Sequence, residues 1–504
     1  MPITEFDKVA ALIAFDKQTD KVQPEPKLMP EQPQGSVQLR PQLSKVVLVA
    51  ALGSFLAQLD VTVVNVSLSN LAIDLHSSLS VIQWVASGYL LALALMLPLN
   101  GWLVERLGPK RLYVICFSGF TFSSLLCALS WSANSLIAFR VLQGMSGGLM
   151  APMAQLIIAR TAGKHFMRVV GYVAVPVLPG PIVGPVIAGA ILQHMSWRWL
   201  FLINLPIGIF AVALTVLFLP NGVGMPSVTR EFDLTGFLLL SPGLVLFLYG
   251  SDHLRQHGGI AALLISVLLV AAFLRKAWRE REHPLIDLQL FRTRVFSASA
   301  VTQFTTNGLL VAGQMLIPVY LIRAAGKSPG SIGWLMAPLG LGMMCTYRWL
   351  QKLTQHFGVR GTSAGGALLA FLGTLPLLYL SSQHFNLSIL AISQFVRGIG
   401  MSAAGTPSIS AAYASVRKDE LPMATTSLNI MQRLGGPALT TVCTTFLCWR
   451  LTATPLYASV SNAFTVSFAL LCSLHALLIL AAATLPPRNS LNEFAHFEIS
   501  EVKA

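Results

Sequence analysis

The chain has 504 residues, of which 54% are hydrophobic and only 11% are charged, and its formal net charge is +14. Soluble domains have roughly 25% charged residues, so this composition excludes a soluble protein and predicts a polytopic membrane protein. The positive charge is spread over short loops between apolar runs, which favours loops at a membrane surface and predicts no nucleic-acid partner.

The first element along the chain is a polar tail, residues 1–44, which is rich in Pro and Gln and is predicted to be mostly disordered. Apolar runs follow that are long enough to cross a hydrocarbon core of roughly 30 Å as helices. Eight are predicted in the first part of the chain, at 46–68, 82–104, 112–131, 135–159, 169–192, 199–219, 234–250 and 258–274. Six more are predicted at 295–322, 329–347, 363–381, 386–412, 422–449 and 461–485.

The distribution of Lys and Arg predicts the orientation of these fourteen spans. With both termini inside, the inner loops carry most of the basic residues that lie outside the spans and the N-terminal tail. The outer loops carry only Arg198, Arg255, Arg323, Lys327 and Arg450. Basic residues concentrate in cytoplasmic loops, so both termini are predicted to be cytoplasmic.

Three stretches recur in matching order and predict two related halves. In one of them, PGPIVGP in the fifth span resembles LGGPAL in the thirteenth. FRVLQGMSGG in the fourth span resembles FVRGIGMSAAG in the twelfth, and GWLVERLGPKR after the second span resembles QKLTQHFGVRG after the tenth. The predicted organisation is a cytoplasmic N-terminal tail, a six-helix bundle, two inserted helices, a basic cytoplasmic segment, a second six-helix bundle and a cytoplasmic C-terminal tail. Their boundaries are 1–44, 45–220, 221–274, 275–294, 295–485 and 486–504.

One carboxylate, Asp60, lies near the middle of the first span, where a charge is costly unless it faces water or a partner. Arg140 in the fourth span is its expected electrostatic partner, because Asp60 is the only acidic residue well inside any span of the first half. A fixed ion pair that only positions helices is the structural alternative. A conformational cycle that moves Asp60 between two environments would load and release a proton, so these two residues are the predicted proton-coupling site.

The segment between the second and third spans clusters charges in a short turn, where they can cap helix ends and pair across it. Its residues Gly101, Glu105, Arg106, Gly108, Lys110 and Arg111 resemble the loop signature of the major facilitator superfamily. Glu105 stands where that family usually has Asp, and Pro109 interrupts the basic pair. The resemblance implies a conformational latch and not a substrate site. The second copy, with Gln355 and His356, lacks both the acid and the base.

The fifth span contains Pro and Gly at helical spacing, which gives a smooth face that neighbouring helices can approach closely. Gly180, Pro181, Gly184, Pro185 and Gly189 resemble the packing motif of the antiporter branch of the superfamily. The stretches LDVTVVNV, WVASGYLL and WRWLFLINLPIG are similar to those of its fourteen-span drug/proton antiporters of the EmrB/QacA type. The resemblance covers about Lys45 to Leu485 and implies a major-facilitator fold and proton-coupled export of lipophilic or amphipathic molecules, as in multidrug or metabolite efflux, across the inner membrane.

Polar residues within the spans could line a central cavity or bond helix to helix. These candidates are Gln58, Asn65, Gln143, Gln303, Asn307, Gln314, Arg397 and Arg433. The expected partners are a small-molecule substrate, protons and membrane lipid, to which the resemblance adds a periplasmic adaptor and an outer-membrane channel as candidates.

The six cysteines fall within predicted spans without metal-ligand spacing, so neither a metal nor a cofactor is predicted. An enzyme would need paired acids, a His cluster or a nucleophile with its base at span depth, and the sequence has none of these. Two alternatives stay open: a facilitative or dedicated metabolite exporter without proton coupling, and a non-transporting receptor or scaffold with a transporter fold.

Overall fold

The structure is a computed structural model of the chain. It describes residues 41–162, 169, 180–219, 232–254, 257–279, 285–328, 331–382, 385–417, 419–453 and 458–487. Almost all of the predicted N-terminal and C-terminal tails lies outside these residues.

All regular elements among the described residues are helices. Those of the N-terminal half are α1 (Pro41–Asp74), α2 (Leu79–Met96), α3 (Asn100–Leu107), α4 (Pro109–Ala128), α5 (Ala133–Ala162), α6 (Gly180–His194), α7 (Trp199–Leu202) and α8 (Asn204–Phe218). A 3-10 turn, Leu97–Leu99, joins α2 to α3. Helix α1 begins at Pro41, a few residues before the predicted end of the tail.

The remaining helices comprise an inserted pair and the C-terminal half. They are α9 (Leu234–Asp252), α10 (His257–Arg279), α11 (Arg294–Arg323), α12 (Ile332–Thr374), α13 (Pro376–Ser382), α14 (Leu387–Ala414), α15 (Leu421–Ala453) and α16 (Ala458–Ala483). Helix α10 extends into the predicted basic segment, and a second 3-10 turn, Leu288–Arg292, precedes α11.

Within the described residues, 11 helices are long and apolar enough to cross a membrane, one of which runs for 51 residues from Ile332 to Ser382. This long helix contains Gly358, whose φ of 73° breaks it near the middle into two membrane-length pieces. Two predicted spans, 169–192 and 422–449, have no counterpart among these 11 helices. Helix α6 overlaps the first of them, and α15 covers the second. The all-α, many-span architecture is confirmed, while the count of fourteen stays a prediction.

Backbone geometry at two glycines supports the internal repeat. Gly108 has φ 76° and ψ 156°, and Gly358, at the matching position of the second copy, has φ 73° and ψ 174°. Residues that carry a Cβ rarely adopt this backbone conformation, so glycine is required where the chain turns from one helix into the next. The two loops therefore share a backbone conformation, although the second lacks the charges of the first.

The hydrophobic core is divided between the two halves. One cluster of buried side chains is drawn from residues 59–201, and another is drawn from residues 298–485. A third, smaller cluster joins Leu240 of α9 to Leu97 of the N-terminal half and Ile430 of the C-terminal half. The inserted helix α9 therefore packs against both halves.

Helix α9 also touches both halves near its C-terminal end. The ring of Tyr249 stacks on Trp84 of α2 with 5.9 Å between ring centroids. On the other side, the hydroxyl of Thr441 in α15 donates to the carbonyl of Ser251 at 3.3 Å. These contacts place α9 beside the interface between the halves.

Candidate functional site

Asp60 and Arg140 form a buried ion pair. Asp60 lies in the middle of α1 and Arg140 lies near the start of α5, and their residues are 2% and 1% exposed. Nη1 of Arg140 is 2.5 Å from Oδ2 of Asp60. The structure therefore brings together the two residues that the sequence predicts as a proton-coupling pair.

Two amide side chains complete the shell around the carboxylate. Gln143, one turn after Arg140, accepts from its Nη1 at 2.7 Å and donates to Oδ1 of Asp60 at 3.1 Å. Asn204, at the start of α8, donates to the same Oδ1 at 3.0 Å. Arg140, Gln143 and Asn204 all donate hydrogen bonds to Asp60. This arrangement suits an ionised carboxylate, which can only accept hydrogen bonds.

Asn204 is held in place from the neighbouring helix. Its Nδ2 lies 3.1 Å from the hydroxyl of Ser124 in α4, and that hydroxyl donates to the carbonyl of Phe201 at 3.0 Å. The sequence alone does not single out Asn204 as a site residue. Its signal was its place in the stretch WRWLFLINLPIG, where a polar amide follows an apolar run at a helix start.

The guanidinium of Arg140 has further contacts to α2. Its Nε donates to the carbonyl of Val85 at 3.1 Å, and its Cζ lies 4.2 Å from the centroid of the Tyr89 ring. The helices come this close because of Gly144, where a Cβ would lie 2.4 Å from the carbonyl oxygen of Tyr89. Carboxylate, amide, carbonyl and aromatic face together compensate the burial of the charge.

The predicted latch lies where the N-terminal half contacts α15. A Cβ at Gly101 would lie 2.8 Å from Sδ of Met423, so the two helices cross closely there. Glu105 is buried and interacts electrostatically with Arg160, whereas Arg106 is exposed and stacks over Trp102 at 5.2 Å. The last two latch residues lie in the first turn of α4, where Lys110 is half-buried and Arg111 is exposed.

Hydrogen bonds join the two halves at the same end of the bundle, which we call the basic end because it carries Lys110, Arg111 and Arg160. Asn100 donates to the hydroxyl of Thr426 at 3.2 Å. Oε1 of Gln155 in α5 accepts from the hydroxyl of Tyr413 at 2.8 Å and from Nδ2 of Asn429 at 2.9 Å. We call these five residues, Asn100, Gln155, Tyr413, Thr426 and Asn429, the basic-end gate. Gln155 lies about 22 Å further along α5 than Arg140, at 1.5 Å per residue.

The packing motif of the fifth predicted span lies on α6. The side-chain environments of Gly180, Pro181, Gly184 and Pro185 lie outside the described residues. Among the described atoms, none would lie within 4 Å of a Cβ at Gly189. Close packing at Gly189 is therefore not seen, because its face of α6 has no described neighbour.

Three of the cavity candidates hold helices together. Gln143 belongs to the Asp60 shell. Gln303 donates to the carbonyl of Gly405 at 2.6 Å and to the hydroxyl of Ser408 at 2.7 Å, which ties α11 to α14. Asn307 donates to the carbonyl of Gln432 at 2.6 Å, which ties α11 to α15.

The other uncharged candidates are placed differently. Gln58 is half-buried on α1, Gln314 is exposed on α11, and the side chain of Asn65 lies outside the described residues. Within the described part of the chain, neither Gln58 nor Gln314 has a hydrogen bond to the Asp60 shell.

The two candidate arginines, Arg397 and Arg433, have no carboxylate partner among the described residues. Arg397 is fully buried on α14, where its Nη2 donates to the carbonyl of Leu309 at 2.7 Å. Its Nε and Nη1 have no hydrogen-bond partner within the described part of the chain. Arg433 is half-buried on α15.

A bundle of membrane-spanning helices in two related halves, with a polar network in the interior and a gate between the halves, is the architecture of a membrane transporter. The profile of the Major Facilitator Superfamily matches residues 50–440, so the chain belongs to this superfamily. It is therefore a multi-pass membrane transporter and not an enzyme.

Similar proteins include curated bacterial transporters. A "Multidrug resistance protein B homolog" from Mycobacterium tuberculosis H37Rv is 34% identical over 411 residues, which cover 80% of this chain and 76% of that protein. The "Putative multidrug resistance protein MdtD" of Shigella sonnei is 34% identical over 336 residues, covering 64% of this chain and 70% of that protein.

Solved structures share the fold at low sequence identity. The human organic anion transporter MFSD10 superposes with a TM-score of 0.58 at 17% identity, covering 87% of this chain and 100% of that one. The proton:xylose symporter XylE superposes with a TM-score of 0.60 at 14% identity, covering 87% and 94%.

Proposed function

We propose that the protein is a proton-coupled antiporter that exports small lipophilic or amphipathic molecules across the inner membrane by alternating access. The observation that carries the proposal is the buried Asp60–Arg140 pair, whose carboxylate is surrounded by hydrogen-bond donors. The names of the multidrug resistance proteins at 34% identity support efflux as the direction of transport.

Protonation of Asp60 would change the contacts of its whole shell. The neutral acid loses the charge that holds the guanidinium of Arg140, and its hydroxyl must find an acceptor where Arg140, Gln143 and Asn204 all donate. The shell therefore has to rearrange when a proton binds. A rearrangement that involves α1, α5 and α8 at once can shift the N-terminal half as a unit against the C-terminal half.

The basic-end gate supplies the second requirement for alternating access. Its bonds close the interface on the side that the distribution of Lys and Arg assigns to the cytoplasm. Asp60 lies far from this gate, so in this conformation a proton would reach it from the opposite side. Opening of the gate would then be needed to release that proton inside and to admit substrate.

The experiment is a comparison of wild type, Asp60→Asn and Asp419→Asn in a pump-deficient bacterial host, followed by reconstitution in proteoliposomes. Asp419 serves as the matched control because its side chain is 58% exposed and lies outside the site. We expect the wild type and Asp419→Asn to confer resistance to lipophilic compounds and to accumulate them along an imposed pH gradient, and Asp60→Asn to do neither.

The outcomes separate the alternatives. Accumulation that ignores the pH gradient would indicate a facilitative exporter. A protein that moves no compound in either assay would support a receptor or scaffold. Proton-coupled efflux by Asp60→Asn at the wild-type rate would contradict the proposal.

A further inference from the structure

One face of α15 leads from the basic-end gate into the interior of the bundle. Thr426, Asn429 and Arg433 are spaced three and four residues apart, so they lie on the same face of the helix. The first two bind the N-terminal half through Asn100 and Gln155. Arg433 therefore also faces the N-terminal half. It lies about 6 Å beyond Asn429 along the helix axis, toward the interior of the bundle.

Arg433 is the member of this face that has no bonded partner. Within the described part of the chain its guanidinium has neither a hydrogen bond nor a carboxylate. Arg433 interacts electrostatically with Tyr89 of α2 in the opposite half. The Tyr89 hydroxyl itself is enclosed within the N-terminal half, since a Cβ at Gly147 of α5 would lie 2.8 Å from it. Arg433 is therefore the unpartnered polar group that this face of α15 presents to the interface.

The neighbouring charges do not neutralise Arg433. Asp60 is already bonded to Arg140, whose guanidinium lies over the Tyr89 ring. Among the described residues, one carboxylate and two guanidinium groups leave this region with an excess positive charge. A guanidinium at membrane depth costs several kcal/mol unless it is paired, so the arrangement favours an anion between the halves.

Arg397 shows why Arg433 is the better ligand for an anion. Arg397 is 0% exposed and is enclosed by Gly313 and Gly373, where added Cβ atoms would collide with its guanidinium and backbone. No solute can reach it without separating α11, α12 and α14. Arg433, in contrast, is half-buried at the interface that opens and closes during alternating access.

We propose that Arg433 binds the anionic group of the substrate, and that the substrates are amphipathic organic anions such as aryl sulfonates or carboxylates. The planar guanidinium can bind two oxygens of such a group at once. This inference rests on the proposed transport function and adds the substrate class to it.

The test is a binding measurement on the full-length protein in lipid nanodiscs with two probes of the same shape, naphthalene-2-sulfonate and the neutral naphthalene-2-sulfonamide. We expect the wild type to bind the sulfonate about 10-fold more tightly than the sulfonamide, the selectivity that one charge-assisted contact can supply. Arg433→Gln should lose this preference while keeping its affinity for the sulfonamide, and Arg433→Lys should keep part of it. The matched control is Arg417→Gln, since the Arg417 side chain is 75% exposed.

The proposal is overturned if the wild type binds the two probes equally or binds neither, or if Arg433→Gln retains the preference for the sulfonate. Should Arg433→Gln fail to fold, Arg433→Lys decides the matter: a reduced preference for the sulfonate supports the site, and a preference equal to that of the wild type refutes it. Binding is measured without a pH gradient. A failure of proton coupling in the Asp60→Asn experiment therefore leaves this result interpretable, and the reverse also holds.

Discussion

Two arginines occupy comparable positions in the two halves and have opposite surroundings. Arg140 and Arg397 each lie shortly before a Gly-Met-Ser sequence on a buried helix. Arg140 is bonded to the carboxylate of Asp60, to Gln143 and to the Val85 carbonyl. Arg397 is bonded to one backbone carbonyl, that of Leu309, and has two nitrogens without partners among the described residues.

The difference indicates that the two halves have diverged in task. A buried charge that is matched by a titratable carboxylate can respond to a proton, whereas a charge matched by a carbonyl cannot. This contrast supports the proposal that the N-terminal half binds the proton. In the same proposal the C-terminal half supplies a packed frame and, through Arg433, a fixed positive charge at the interface.

The largest expected effect comes from replacing Arg140 by methionine, an apolar residue of similar length. The same replacement at Arg397 is the comparison. Arg140→Met leaves the carboxylate of Asp60 buried and unpaired and should destabilise the protein by about 3 to 5 kcal/mol. Arg397→Met removes one hydrogen bond but also an unpaired buried charge, so its stability should change by no more than about 1 to 2 kcal/mol in either direction. Thermal unfolding in one detergent, at one pH, measures both. Equal losses of stability would contradict the difference between the halves.

A smaller effect is expected at the basic-end gate. Gln155→Ala removes the acceptor shared by Tyr413 and Asn429, and two lost hydrogen bonds of about 1 kcal/mol each should shift the equilibrium roughly 10-fold or more toward opening at that end. Spin labels at positions 106 and 417, which are both exposed, would report this shift as an increased population of molecules with a long distance between the labels. Gln289→Ala is the control because Gln289 is exposed outside the gate. An unchanged distance distribution would show that Gln155 does not control opening.

The smallest effect concerns the inserted pair, which belongs to neither half. Asp233 accepts from Lys276 at 2.9 Å, from the amide of Gly236 at 2.6 Å and from the amide of Leu285 at 3.3 Å. Burial alone would raise the pKa of Asp233, but the bond from Lys276 and those from the two amides outweigh it and lower the pKa. The carboxylate caps α9 and fixes it to α10.

A lowered carboxyl pKa gives stability that is present above the unfolded-state pKa, about 3.9, and is lost as the pH falls toward the folded-state value. Asp233→Asn should therefore lower the free energy of unfolding by about 1 kcal/mol at pH 7, and the difference should shrink as the pH falls below the unfolded-state pKa and through the folded-state pKa. Melting temperatures of the two proteins at several pH values measure this. A difference that stays constant at acid pH would mean that the charge of Asp233 does not contribute.

Much of the Asp60 site could be predicted from the sequence because charges in apolar spans are few and costly. Asp60 and Arg140 stand out in their spans, and their pairing follows from the lack of another acid in the first half. Asn204 and Gln155 could not be assigned this way, because an amide within a span carries no charge and has many candidate partners. Only the packing of α8 against α1 and of α5 against α15 identifies the partners that these amides have.

The fold shows the same limit. Hydropathy and loop charge predict the helices, but not that α12 would be continuous except for the break at Gly358. The polar residues Gln303 and Asn307 were equally compatible with a cavity and with helix packing. Gln303 donates to a backbone carbonyl and a hydroxyl on α14, and Asn307 donates to a backbone carbonyl on α15, where Gly435 allows that helix to approach α11 closely.

The most direct test of the central claim separates substrate movement from proton coupling in Asp60→Asn. In proteoliposomes, the variant should still exchange internal for external substrate at equal pH, because asparagine resembles the protonated carboxyl group and substrate recognition is assigned to the interface with α15. It should not concentrate substrate when a pH gradient is imposed, whereas the wild type should do both. Concentration of substrate by Asp60→Asn to the wild-type level would contradict the assignment of Asp60 as the proton carrier.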